Sequence, residues 1–244
     1  CFLVQLDEYV RPEVIFGSNY PYFSSYSQSW VAHAKRYTEK MQREHGIGHS
    51  SFVVELASND GYLLQHFKAA GIRCLGVEPT AGTAAAAVAK GIPTEVAFFG
   101  QELARRLREQ YGTADLVVGN NVLAHVPDLN DFVAGVALLL APSGFATFEF
   151  PHLMRLIEFN QFDTIYHEHF SYFSFTTARR VFAAHGLDVF DVEELPTHGG
   201  SLRVYVQSSS HGHRVVAPTV AGLLAREAAE GVTDPAMYAG FESR

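Results

Sequence analysis

Short apolar segments alternate with amphipathic segments between residues 52 and 150, and this alternation leaves few folds open to the chain. The apolar segments have the length of buried strands, and the segments between them have helical periodicity. The predicted strands include 52–56, 74–77, 115–118 and 145–150, and the predicted helices are 29–44, 62–70, 82–90, 101–110 and 129–140. A chain with this order of elements forms a mostly parallel sheet with helices on both faces. The sequence therefore predicts an α/β fold.

The pattern changes after residue 150. A short helix is predicted over 178–185, followed by two strands over 189–195 and 202–207. A turn that contains Gly199 and Gly200 joins these two strands. Because the connection is short, we expect them to pair in antiparallel fashion at one edge of the sheet.

Three regions are expected along the chain: an aromatic-rich N-terminal segment 1–26, a main domain 27–210 and the start of a further domain 211–244. The chain begins at Cys1 without a methionine and ends shortly after a predicted helix over 220–230. We therefore expect it to be a piece of a longer protein.

Composition excludes some classes of partner. The formal net charge is −8, and no basic stripe is present to neutralise phosphates, which argues against nucleic acid. No apolar segment is long enough to cross a bilayer, so no membrane partner is expected. The chain contains only two cysteines, Cys1 and Cys74, as is usual in a reducing compartment. We expect a cytoplasmic protein that acts on a small molecule.

Three predicted strands end in residues suited to a ligand. The candidate cofactor-binding residues at these ends are Glu55, Ala57, Asn59, Asp60 and Gly61, then Glu78 and Pro79, then Asn120 and Asn121. Ligands of open α/β sheets bind at the carboxyl ends of the strands, and Glu78 lies where a carboxylate holds ribose hydroxyls. Each motif alone also fits an ordinary connection between a strand and a helix. Together they predict a cofactor that contains adenosine.

The first of these turns indicates which cofactor it is. The turn lacks the glycine spacing that close approach to a pyrophosphate requires, and Asp60 would repel a pyrophosphate. Asp60 would instead suit an ammonium group. S-adenosylmethionine has a ribose, an adenine and an aminocarboxylate but no phosphate, so the residues favour it. Phe98 and Phe99 are candidates to flank the adenine, with core packing as the alternative.

Tyr166, His167, Glu168 and His169 place a phenol, two imidazoles and a carboxylate in adjacent positions. Removal of a proton from carbon requires a base that titrates near neutrality and groups that orient it. These residues are therefore the candidate catalytic centre. The spacing of the two histidines differs from H-E-x-x-H and no third ligand is evident, so no metal site is predicted.

These motifs and several others resemble those of one family, the S-adenosylmethionine-dependent C-methyltransferases of nucleotide-linked deoxysugars. The similarity covers nearly the whole chain. The matching stretches are 20–27, 55–61, 76–79, 119–128, 149–151, 162–174 and 197–203. The Tyr-His-Glu-His stretch and the stretch Thr197 to Ser201 are the specific ones.

The resemblance implies a Rossmann-like class I methyltransferase fold, with S-adenosylmethionine bound by the main domain. In this family, that domain lies between a small zinc domain and a C-terminal Rossmann-like domain. Cys1 resembles the last zinc-ligand cysteine, so zinc is expected only in an N-terminal domain outside this chain. Residues 211–244 resemble the entry to the C-terminal domain.

The resemblance also implies a substrate and residue roles. The substrate is a 4-keto deoxysugar attached to deoxythymidine diphosphate, and a base removes a ring proton to give an enolate that accepts the methyl group. His169 matches the general base, and Tyr166 stabilises the enolate or serves as the base itself. Glu168 orients a neighbouring group or raises the pKa of a histidine. The other matching residues are His125 in the active site, Tyr20 closing over it, and Tyr22, His198 and Arg203 as candidate substrate contacts.

Some alternatives remain open on the sequence. One alternative is methylation of oxygen or nitrogen in a small molecule, which also needs a base. A non-enzymatic alternative is a module that binds S-adenosylmethionine and has little activity. Within the sugar ring, C3 is the preferred methylation site and C5 is possible. The family resemblance also implies a monomer.

Overall fold

The computed structural model describes residues 2–17 and 22–241. Tyr20 lies outside the described residues. The strands are β1 (Val4–Gln5), β2 (Phe52–Leu56), β3 (Arg73–Val77), β4 (Thr94–Glu95), β5 (Ala114–Asn120), β6 (Leu140–Pro151), β7 (Ser171–Tyr172), β8 (Leu187–Leu195) and β9 (Ser201–Ser208). The α-helices are α1 (Pro12–Ile15), α2 (Gln28–His45), α3 (Leu64–Ala69), α4 (Ala81–Ala89), α5 (Gln101–Tyr111), α6 (Leu129–Leu139), α7 (Leu153–Glu158), α8 (Phe175–Ala184) and α9 (Pro218–Glu230).

The main sheet has seven strands in the order β4-β3-β2-β5-β6-β9-β8. The strands from β4 to β6 run parallel, and β9 pairs antiparallel with both β6 and β8. The predicted α/β fold, with a mostly parallel sheet and an antiparallel edge, is therefore confirmed. A separate two-stranded sheet pairs β1 with β7, and neither of these strands was predicted.

Strand β2 shows how the sheet is held at its centre. Every residue of β2 is buried, as expected for a strand that has helices on both faces. Val54 and Leu56 belong to one hydrophobic cluster, whereas Val53 belongs to another. Because successive side chains of a strand point to opposite faces, the two clusters lie on opposite sides of the sheet.

Helix α9 is fastened to the main core by a buried carboxylate. Glu227 accepts hydrogen bonds from the backbone amides of Phe175 and Thr176, at 2.6 and 2.7 Å, and contacts Nε2 of His152 at 2.7 Å. A negative charge is favourable at this position because the first amides of a helix, here α8, carry partial positive charge. Helix α9 thus packs with the main domain, although we assigned its sequence to a further domain. The division into three regions stays a prediction.

Within the described part of the chain, no helix combines the length and the apolar composition that a membrane span needs.

Candidate active site

A cleft of about 780 Å³ lies where β2, β3, β5 and β6 end. This is the edge at which open α/β sheets bind their ligands. Most of the predicted site residues line it, namely Tyr22, Ala57, Asn59, Glu78, Pro79, Phe98, Phe99, Asn120, Asn121, His125, Tyr166, Glu168, His169 and His198. The structure therefore brings the two halves of the predicted site, cofactor and catalytic, into one cleft.

The turn after β2 adopts a left-handed backbone conformation that its residue types do not predict. Ala57, Asn59 and Gly61 all have positive φ, at 55°, 50° and 75°. This region favours glycine, tolerates asparagine and costs alanine roughly 1–2 kcal/mol. Residues 57, 59 and 61 therefore adopt the backbone conformation that glycines adopt in a glycine-rich loop, although only residue 61 is glycine. At Gly61, a Cβ would overlap the side chain of Ile92, so this glycine serves packing away from the cleft.

Glu78 presents an ordered carboxylate to the cleft from the end of β3. Its two oxygens accept hydrogen bonds from the backbone amides of Asn59 and Thr80, at 2.8 and 2.9 Å. Each carboxylate oxygen has a further lone pair, so the group can still accept from a ligand hydroxyl. The position and the remaining acceptors fit the two hydroxyls of a ribose.

Asn120 and Asn121 add buried polar atoms to the same wall. Among the described residues, the buried amide oxygen of Asn121 has no hydrogen-bond partner, and the buried side chain of Asn120 has Tyr62 alone beside it as a polar neighbour. Buried polar groups without partners are rare because they cost free energy. Their position in the cleft fits a ligand with polar groups of its own, as the adenine and aminocarboxylate of S-adenosylmethionine are.

Phe98 and Phe99 have different surroundings. Phe98 is 46% exposed and lies at the cleft, whereas the ring of Phe99 packs against Phe132 with centroids 5.4 Å apart. Phe98 is thus the ring available to an adenine, and Phe99 supports the wall behind it.

Besides Gly61, two predicted cofactor residues, Asp60 and Glu55, do not line the cleft. The carboxylate of Asp60 bonds to the amide of Ser25 at 3.3 Å, to the Ser25 hydroxyl, and to Lys90 at 3.1 Å. These bonds occupy the group that we expected to bind an ammonium, which corrects that expectation. Glu55 lies fully buried below the turn. Burial, with the charges of Glu78 and Asp60 acting in the same direction and a Tyr62 hydrogen bond opposing them, raises the pKa of Glu55 well above its usual range.

His169 has a defined tautomer. Its Nδ1 lies 2.8 Å from the carbonyl oxygen of Thr164, and because a carbonyl can only accept, Nδ1 carries the proton. Nε2 of the neutral ring is therefore the acceptor, and it lies 3.1 Å from the hydroxyl of Tyr166. Burial lowers the pKa of His169, opposed by the bond to Thr164. The ring is neutral near pH 7 and has its basic nitrogen towards the cleft.

His125 and Glu168 support this centre. Nδ1 of His125 donates to the backbone carbonyl of Glu168 at 2.9 Å, and its ring meets that of His169 edge-on at 4.8 Å. Burial, together with the charge of His169, lowers the pKa of His125 to about 4. Burial and the charge of Glu168 raise the pKa of Tyr166, which keeps its hydroxyl protonated as a donor.

His198 lies at the cleft, but Arg203 does not. His198 sits in the turn Thr197–Gly199 with a φ of 50°, and its ring meets the edge of Trp30 at 5.3 Å. Arg203 is 3% exposed and binds Glu149 at 2.6 Å and Glu193 at 3.3 Å. Its guanidinium is occupied inside the protein and does not line the cleft, which corrects the expected contact of Arg203 with the substrate.

Sequence reasoning missed the aromatic wall formed by Trp30 and Tyr62. Their rings stack with centroids 5.9 Å apart, and both line the cleft. Trp30 is the only tryptophan of the chain and follows the aromatic-rich N-terminal segment, which was the one available signal. No cluster of three or more metal-binding side chains occurs within residues 2–17 and 22–241.

Comparison with known proteins agrees with this architecture. A family model described as a methyltransferase domain matches residues 32–192, and one described as a C-methyltransferase C-terminal domain matches residues 196–244. The C-methyltransferase NovU of Streptomyces niveus is 38% identical over 99% of this chain. The chain spans 57% of the length of that relative.

Solved structures share the fold at low sequence identity. The PH0226 protein from Pyrococcus horikoshii OT3 superposes with a TM-score of 0.62 at 18% identity, covering 79% of this chain and 99% of that one. Magnesium protoporphyrin IX methyltransferase from Synechocystis PCC 6803, solved with bound S-adenosylmethionine, has a TM-score of 0.55 at 14% identity. That match covers 80% of this chain and 89% of the other.

The fold is thus the Rossmann-like class I methyltransferase fold. The two family matches and the relative confirm the resemblance to C-methyltransferases. The chain belongs to the methyltransferase-domain family, and its last part matches the C-methyltransferase C-terminal domain.

Proposed function

We propose that this chain is the cofactor-binding and proton-abstracting part of an S-adenosylmethionine-dependent C-methyltransferase that acts on a nucleotide-linked 4-keto deoxysugar. The observation that carries the proposal is the neutral, tautomer-fixed His169, which lies in one cleft with the carboxylate of Glu78. A base and a ribose acceptor in one cleft are what methylation at carbon requires.

The cofactor half of the cleft has a matching set of groups. Glu78 would accept from the ribose hydroxyls, the backbone at Ala57 and Asn59 would border the amino-acid part, and Phe98 and Asn121 would flank the adenine. When bound, S-adenosylmethionine supplies an electrophilic methyl group for the new carbon–carbon bond. The chain would hold that methyl group at a defined position relative to the base.

The catalytic half moves one proton. The 4-keto group acidifies the hydrogens on C3 and C5, the two ring carbons next to it. Nε2 of His169 takes one of these protons, the C–H bond breaks, and the electron pair moves into an enolate. The hydroxyl of Tyr166 donates to the enolate oxygen, which stabilises its negative charge. His125 remains neutral beside His169, so it adds no positive charge that would weaken the base.

The proposal is tested by calorimetric titration with S-adenosylhomocysteine. We expect micromolar binding by the parent chain and binding at least ten-fold weaker in Glu78→Ala. Glu95→Ala is the matched control, because Glu95 lies at the same sheet edge but binds Arg106 outside the cleft. Absence of binding by folded parent protein, or equal binding by Glu78→Ala, would contradict the assigned cofactor site.

A further inference from the structure

Residues 22–26, which we call the strap, cross over the turn after β2. The side chain of Asn59 accepts from the amide of Ser24 at 2.9 Å and donates to the carbonyl of Tyr22 at 3.0 Å. Asp60 accepts from both the amide and the hydroxyl of Ser25. Two consecutive side chains of the cofactor turn, Asn59 and Asp60, thus hold three of the five strap residues, Tyr22, Ser24 and Ser25.

The carboxylate at the centre of this contact is buried and fixed in orientation. Asp60 is 2% exposed, and Lys90 bonds to both its side chain at 3.1 Å and its backbone carbonyl at 2.8 Å. Lys90 follows directly after α4, so it is anchored independently of the strap. A paired, buried carboxylate of this kind is a firm attachment point.

The strap connects this attachment to the cleft. Tyr22 lines the cleft, and its phenol is close enough to act electrostatically on Tyr166. At its other end the strap continues into α2, which carries Trp30 in the cleft wall. The same Asn59 whose side chain holds the strap also donates its backbone amide to Glu78. The strap is therefore attached to the cofactor side of the cleft and borders the catalytic side.

We infer that Asp60 is a positioning residue: with Asn59 it fixes the strap on the cofactor turn, so that Tyr22 forms part of the wall against which the sugar substrate binds. The inference rests on the proposed function for the identity of that substrate. Asp60 then acts on substrate binding through the strap, whereas from the sequence we expected it to bind the ammonium group of the cofactor.

The two roles of Asp60 predict opposite results for Asp60→Asn and Ser25→Ala. If Asp60 positions the strap, both variants keep an S-adenosylhomocysteine dissociation constant within about three-fold of the parent value. Both then raise KM for the 4-keto nucleotide sugar at least ten-fold, with a smaller change in kcat. The double variant is no worse than the worse single variant, because both changes break the same contact. Ser29→Ala, exposed in the first turn of α2, is the control.

Hydrogen exchange of the strap supplies a readout that needs no turnover. We expect the amides of residues 24 and 25 to be protected in the parent without ligand, and the amide of residue 25 to exchange at least ten-fold faster in either variant. Should Asp60→Asn fail to fold, Ser25→Ala tests the same contact. Weakened S-adenosylhomocysteine binding in Asp60→Asn alone would overturn the inference, as would unchanged exchange and KM in Ser25→Ala. Failure of the parent to bind S-adenosylhomocysteine would contradict the proposed function instead and leave the exchange result standing.

Discussion

The hydroxyl of Tyr166 lies 3.1 Å from Nε2 of His169, while the opposite nitrogen of the same ring lies 2.8 Å from the carbonyl of Thr164. The carbonyl fixes the tautomer, and the phenol occupies the basic nitrogen. A substrate C–H that approaches Nε2 must displace the phenol. In the proposed mechanism, the Tyr166 hydroxyl is then free to donate to the substrate oxygen, so one displacement prepares both the proposed base and the proposed enolate donor.

Replacement of the base has the largest expected effect on proton removal. His169→Asn should slow exchange of the ring proton of a 4-keto nucleotide sugar in D₂O by about 10²–10⁴-fold, the usual contribution of a general base. Tyr166→Phe should slow it by roughly 10²-fold, as removal of one oxyanion donor does. Mass spectrometry and NMR give the rate and show whether C3 or C5 exchanges. Exchange at the parental rate in His169→Asn, with folding and S-adenosylhomocysteine affinity retained, would remove His169 as the base.

The pH dependence follows from the lowered pKa of His169. Burial disfavours the charged ring, so the base remains neutral to lower pH than an ordinary histidine, whose pKa is about 6.5. We expect the acid limb of kcat/KM, along which His169 gains a proton, to have its midpoint below pH 6.5. The pKa of His125, about 4, places its protonation at still lower pH. An acid limb with its midpoint above pH 6.5 would contradict this environment for the base.

We expect substitution of Phe98 to lower the affinity for S-adenosylhomocysteine and substitution of Phe99 to lower the free energy of unfolding. Phe98→Ala removes an exposed ring at the cleft, and we expect about ten-fold weaker S-adenosylhomocysteine binding with little change in stability. Phe99→Ala removes packing on Phe132, and we expect a loss of roughly 2–4 kcal/mol of unfolding free energy. Calorimetry and urea unfolding measure the two quantities. Val96→Ala, at an exposed residue outside the cleft, is the control. If Val96→Ala lost as much affinity as Phe98→Ala, the assignment of Phe98 to the adenine would be contradicted.

Arg203 should behave as a structural residue. Arg203→Met leaves the fully buried carboxylate of Glu149 without its cation, and we expect a loss of about 3–5 kcal/mol of unfolding free energy. Burial alone would raise the pKa of Glu149, but His33 and Arg203 together hold it below its usual value. Urea unfolding is the measurement, with the exposed Arg179→Met as the control. Unchanged stability combined with a raised KM for the nucleotide sugar would restore Arg203 as a substrate contact.

The sequence indicated the fold because hydrophobic periodicity is set locally. Strands β2, β3 and β5 and the second half of β6 are short apolar runs, and the short turn before Ser201 was enough to predict the antiparallel pair β8 and β9. The pairs of residues in β1 and β7 are too short to show a period, and only distant packing brings them together. Helix α7 was missed for the same reason, since it has six residues and no flanking signal that stands out.

The sequence indicated which residues line the cleft where position on a strand end was sufficient, and their roles stay predictions. Glu78 and Asn120 point into the cleft because parallel strands place their carboxyl ends at one edge. Asp60 and Arg203 failed because the direction of each side chain depends on partners far along the chain. For Asp60 that partner is Ser25, and for Arg203 it is Glu149. Periodicity carries no information about such pairings.

The carboxylate of Glu227 determines where this chain can be joined to another. The boundary between the two family matches, of which the first ends at residue 192 and the second begins at residue 196, lies at the end of β8. In a chimera joined there, β9 and Glu227 would come from one parent. The first amides of α8 and His152, which bond to Glu227, would come from the other parent. A junction after residue 230 would keep these partners from one parent. Exchange of C-terminal regions between relatives should therefore yield folded protein only when the crossover point lies beyond α9.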